Sequence, residues 1–146
     1  MQPRMSNSVN IVPDTMQALR KSAKMLGYWV VTTFLLFNIL SGAVAELVQR
    51  KENVEGMMFL GYPLYFMIIL GVWKLLGTIA LLVPRFPRLK EWAYAGIFFT
   101  MTGAALSHVV SGDAAWHMLY TGCLAVLTLA SWALRPQSRK LEARHD

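Results

Sequence analysis

A handful of side chains in this 146-residue chain combine reactive chemistry with an unusual setting. Lys74 interrupts the apolar run GVWKLLGTIALLV, and Glu46 closes the apolar run before it. His108 ends a later run, Asp113 sits in the turn sequence SGD, and His117 follows shortly after. A carboxylate beside an imidazole fixes its tautomer and raises its basicity, which serves both acid–base work and ligand orientation. His108, Asp113 and Lys74 are therefore the candidate catalytic groups. Lys74, Glu46, His117 and Trp92 are the candidate substrate or ligand contacts. Structural roles compete with each assignment. His108 can be an interfacial imidazole bonded to a neighbouring helix, and Asp113 can cap the helix that follows it. Lys74 can either snorkel toward head groups or face the protein interior, where it needs a carboxylate, a carbonyl or a ligand.

Metal chemistry finds little footing in the spacing. The segment from His108 to His117 crosses a turn and matches no tight helical motif such as HExxH. The repeated ExxH pairs of a di-iron bundle are missing, and haem between spans calls for histidines at membrane depth. No metal is assigned. Cys123 is the lone cysteine, so no intramolecular disulfide or CxxC pair can form, and a buried, inert thiol is expected. His145 lies in the C-terminal tail and receives no role. Neither a GxSxG elbow nor a glycine-rich nucleotide loop occurs. The paired repeats of many secondary transporters do not fit a chain this short.

These groups must be held by elements suited to lipid. Hydrophobic residues make up 55% of the chain and charged residues 15%, against roughly 25% charged in a soluble domain. Four stretches approach the ~20 apolar residues that span hydrocarbon: residues 26–48, a segment within 57–83, 92–110 and 116–134. A cleavable signal peptide is disfavoured for the first, because its apolar run is too long and three more follow. Tyr28, Trp29, Tyr62, Trp92, Tyr94 and Trp116 suit the interfacial aromatic belt.

The formal charge of +6 comes from residues that flank the apolar runs, so membrane lipid is the expected partner and nucleic acid is not. Arg4, Arg20, Lys21 and Lys24 precede the first span. Arg85, Arg88 and Lys90 fill the middle loop, and Arg135, Arg139, Lys140 and Arg144 follow the last span. The other two loops carry only Arg50 and Lys51. Both termini and the middle loop are therefore expected in the cytoplasm. The expected fold is all-α: an integral membrane, antiparallel four-helix bundle. Residues 26–135 would form it, after a flexible 1–25 segment with a short interfacial helix near Pro13, and before a flexible 136–146 tail. Glu46, His108, Asp113 and His117 would then converge on one outer mouth. The stripe Gly96, Thr100, Gly103 and Ser107, like Gly71 and Gly77 around Lys74, is expected in the bundle interior.

The string GVWKLLGTIALLVPRFPRLKEWAYAGIFFTMTGAALSHVVSGD resembles the DoxX-like family of small bacterial membrane proteins. The likeness is dense over residues 71–113 and looser over 38–136; LKEWAYAG and GAALSHVVSGD are its most specific parts. The resemblance implies four transmembrane helices in a bacterial inner membrane. It also implies a link to quinone-associated redox chemistry, since the family takes its name from a subunit of a thiosulfate:quinone oxidoreductase. Distant animal relatives act as assembly factors for receptors, so a non-catalytic partner subunit is the alternative, with a membrane protein or a second copy as companion. The family pattern places Lys74, Trp92, Tyr94, Gly96, His108, Gly112 and Asp113 on characteristic positions. Glu46 departs from it, because members often carry a basic residue there. Quinone is the one cofactor or substrate the resemblance suggests.

Overall fold

The computed structural model describes residues 11–140. Arg4, Arg144, His145 and the outer parts of both tails lie outside the described residues. Within them, every regular element is helical: α1 (Ile11–Leu47), α2 (Lys51–Phe59), α3 (Leu64–Leu82), α4 (Pro87–Val110) and α5 (Ala115–Leu134), then a short 3-10 turn at Gln137–Arg139. Residues Thr15–Leu47 of α1, and all of α3, α4 and α5, are long and apolar enough to cross a membrane.

Punctuation in the sequence sets these boundaries. Pro84 closes α3, and Pro87 opens α4 at a first-turn position where its missing N–H is harmless. The helix that was expected to lie apart near Pro13 is continuous with the first span, since α1 runs unbroken from Ile11. The second span begins later than residue 57. Gly61 (φ 79°) and Pro63 interrupt the chain, and α3 starts only at Leu64. The segment between becomes the separate helix α2, with Glu52 in its first turn and an exposed Lys51–Glu55 pair at 3.8 Å.

Each long helix packs on two others: α1 on α3 and α5, and α4 on α3 and α5. Paired contacts fix the directions. Thr32 meets Ser131 at 2.7 Å while Asn38 meets Tyr120 at 3.0 Å, so α1 and α5 run oppositely. Tyr94 meets Ser131 at 2.8 Å while Glu91 meets Arg135 at 2.7 Å, so α4 and α5 do too. Leu35, Leu36, Ile39, Leu81, Tyr94, Ile97, Met101 and Leu124 form the core between them.

Two expectations about faces are corrected. Gly96 and Gly103 of α4 are exposed, with nothing near where a Cβ would stand. The bulky residues Tyr94, Ile97 and Met101 occupy the inward face of that helix, so the glycines of the stripe turn outward while Thr100 and Ser107 are half-buried. Cys123 is likewise exposed, while Leu124 and Ala125 take the buried positions on α5. Gly71 behaves as expected. A Cβ there would stand 2.9 Å from Leu47 and 3.1 Å from the Ala43 carbonyl, so α1 and α3 approach this closely only at glycine.

Candidate functional site

The turn from α4 to α5 builds the densest polar group at one end of the protein. The Asp113 N–H donates to the His108 carbonyl at 3.0 Å, and the Gly112 N–H to the Val109 carbonyl at 3.2 Å. This is the Schellman closure of a helix, and it needs a left-handed residue at its hinge, supplied by Gly112 (φ 64°). Its geometry folds the residue after the glycine back over the last helical turn. Here that residue is Asp113, and the side chain it meets is His108. The Nδ1 of His108 lies 2.7 Å from Oδ2 of Asp113. A carboxylate only accepts, so Nδ1 carries the hydrogen and Nε2 of a neutral ring holds the lone pair. Nε2 makes no hydrogen bond to the protein among the described residues.

One turn into α5, His117 completes the group. Its Nδ1 lies 3.0 Å from the same Asp113 oxygen, within ion-pair reach but misaligned for a hydrogen bond, and that nitrogen is shielded from solvent. The two imidazoles stack at 5.2 Å and 17°, and Trp116 packs on His117 with ring centres 4.0 Å apart. Asp113 Oδ1 accepts from the Ala114 N–H at 2.7 Å. That backbone bond, followed by the His108 bond and the nearby imidazoles, holds the Asp113 carboxyl below the usual aspartate range. The stabilisation it brings is present above the ordinary aspartate pKa and is lost as pH falls through the lowered one. Tyr62 ties the start of α3 to this end through a 2.7 Å bond to Ser107, the residue before His108.

The expected four-residue mouth is corrected to three. Glu46 lies outside the cluster and pairs with Lys74 across the α1–α3 seam, where Gly71 allows the approach. Lys74 thus faces a carboxylate rather than snorkelling, with 15% of its side chain exposed. Charge neutralisation removes much of the roughly 2.5–3.5 kcal/mol that an isolated cation would cost at membrane depth. The second oxygen of Glu46 is buried without a hydrogen-bond partner among the described residues. Trp92 stands 80% exposed near the start of α4, at the end of that helix opposite His108. The structure therefore does not gather Lys74, Glu46, His117 and Trp92 into one pocket.

Sequence reasoning missed a second polar constellation at the opposite end. Lys90, counted above as a loop charge, is 2% exposed. Its ammonium donates to the carbonyls of Ala80 at 3.0 Å, Leu81 at 2.9 Å and Val83, satisfying the free acceptors at the end of α3. Arg139 donates to the Leu81 carbonyl as well, at 3.1 Å. Glu91 binds Arg135 and Trp132, each at 2.7 Å, and Ser131 links Thr32 to Tyr94. The signal available was Glu91 itself, a single acid among bases and therefore a ready partner for a helix-end arginine.

No curated protein and no solved structure matches the chain. The model of the DoxX-like family matches residues 30–131, a stretch that holds the whole candidate site and most of the four apolar helices, and the chain is a multi-pass membrane protein of the DoxX-like family.

Proposed function

We propose that this protein binds a small lipophilic compound of the quinone class at the outer edge of a bacterial cytoplasmic membrane, as an oxidoreductase-associated component. The observation that carries the reading is the 2.7 Å contact of His108 with Asp113, with Nε2 of His108 unpaired among the described residues at the end of its helix. With Nδ1–H held by the carboxylate, Nε2 accepts the proton of a hydroquinone hydroxyl, and Asp113 stabilises the resulting imidazolium. Water at the membrane edge takes the second proton. The two electrons leave to the redox centre of a partner oxidoreductase subunit.

The proposed topology is an antiparallel four-helix bundle over residues 26–135 with both tails in the cytoplasm. Lys24, Arg85, Arg88 and Lys140 on one side, against the sparsely charged α4–α5 turn on the other, support it. In this arrangement the histidine end is external. Lys74 and Glu46 hold the α1–α3 seam, and Trp92 marks the inner interface.

Equilibrium binding of a short-chain ubiquinol to the full chain in lipid nanodiscs tests the assignment. His108→Ala and Asp113→Asn should each abolish binding. Retention of full affinity in both would overturn it.

A non-catalytic partner subunit is the second reading, favoured by one surface. The exposed groove of about 660 Å³ between α4 and α5, lined by Ala105, Met118, Leu119, Gly122 and Cys123, offers small residues to an approaching helix. Crosslinking through Cys123 in native membranes to another chain, with ubiquinol binding absent, would select this reading over the first.

A further inference from the structure

We infer that His108, Asp113 and His117 form a binding site for a borderline divalent transition metal ion of the zinc, cobalt or nickel kind. One ring nitrogen of His108, a carboxylate oxygen of Asp113 and one ring nitrogen of His117 all lie within 4.8 Å of one another, and Oδ2 of Asp113 lies 2.7 Å from Nδ1 of His108 and 3.0 Å from Nδ1 of His117. Two of the separations, 2.7 and 3.0 Å, match the edge of a coordination polyhedron whose metal–ligand bonds are about 2.0–2.1 Å.

The local chemistry favours a cation in a way that packing does not explain. One carboxylate oxygen faces two imidazole nitrogens, yet only His108 makes a good hydrogen bond to it. The Nδ1 of His117 is shielded from solvent and makes no hydrogen bond among the described residues, although it lies 3.0 Å from the same oxygen. A metal ion shared by the three donors would satisfy that nitrogen and neutralise the carboxylate. Two imidazoles with one carboxylate select borderline transition ions over magnesium or calcium, which prefer all-oxygen sites.

The supports are already rigid. Gly112 sets the turn, the Ala114 N–H holds the second Asp113 oxygen, and the Trp116 ring packs on His117. Three protein ligands leave at least one coordination position for water or another ligand. Coordination through Nδ1 of His108 moves that ring's hydrogen to Nε2, so a metal-loaded His108 does not accept a quinol proton, and the metal site is tested without quinol present.

Cobalt(II) is the direct probe, followed by its visible d–d absorption on the full-length protein in lipid nanodiscs after chelator treatment. The wild type should bind a single cobalt ion per chain, displaced by zinc and untouched by excess magnesium. Loss of even an outer partner of a metal ligand weakens binding 10–100-fold, so His117→Gln and Asp113→Asn should each weaken it by at least about tenfold. Cys123→Ser and His145→Ala should bind as the wild type does. X-ray absorption of the zinc-loaded wild type should show two imidazoles and an oxygen donor, a readout that needs no variant to fold. The inference is overturned if the wild type takes up no cobalt, if His117→Gln and Asp113→Asn bind as tightly as wild type, or if binding disappears in His145→Ala.

Discussion

Asp113 reaches His108, five positions earlier in the chain, because Gly112 between them adopts a left-handed conformation that closes α4 and folds the chain back on its last turn. The candidate site thus depends on a backbone device as much as on its side chains. Replacing Gly112 with alanine forces an L-residue into that conformation, at a cost of roughly 1–2 kcal/mol. We expect Gly112→Ala to shift denaturant unfolding by about that amount and to weaken cobalt and ubiquinol binding together. Unchanged binding would mean that the turn does not position Asp113.

The Glu46–Lys74 pair makes a sharper energetic prediction. Removing one member of a buried pair strands the other, which costs about 3–5 kcal/mol, whereas replacing both with apolar residues is often neutral. Lys74→Leu alone should therefore destabilise strongly, and adding Glu46→Leu should restore much of the loss. A double-mutant cycle in denaturant measures the coupling. Additive losses would show that the two side chains do not interact.

Lys90 is predicted to be the most sensitive cation at the basic end. Its loss strips the Ala80 carbonyl of its ammonium donor, worth about 1–3 kcal/mol, while the Leu81 carbonyl keeps the bond from Arg139. Lys90→Met should destabilise by at least that much, while Arg88→Met, an exposed neighbour, should stay near wild type. Cobalt affinity of the folded fraction should not change, because the histidine end is untouched.

Glycines of similar sequence context should diverge in effect. Gly71→Leu drives a side chain into Leu47 and the Ala43 carbonyl and should separate α1 from α3, breaking the Lys74–Glu46 contact. Gly96→Leu and Gly103→Leu enter open space and should leave the folded chain intact. If either of these two abolishes Cys123 crosslinking, the outward stripe is an association face.

These contrasts show what a linear reading can and cannot reach. The four spans were legible because hydropathy accumulates along the chain, and Pro84 and Pro87 mark their own turn. The Asp113–His108 link was within reach because both residues flank a single tight turn. The partner of Lys74 was not, since it depends on the register of α1 against α3, which is set by contacts between distant residues such as Gly71 and Leu47. Lys90 was misplaced for another reason. A lysine after an apolar run reads as a head-group anchor, and only the fold of the α3–α4 turn brings the end of α3 within its reach. The helical face of Gly96 and Cys123 was equally hidden, because a stripe of small residues suits a lipid-facing groove as well as an interior seam.

Nitrogen NMR of histidine-labelled protein in nanodiscs, titrated with short-chain ubiquinol, tests the central claim most directly. The account predicts that the Nε2 resonance of His108 moves on addition of the quinol and that the movement disappears in Asp113→Asn. A His108 ring that stays unperturbed at saturating quinol would contradict it.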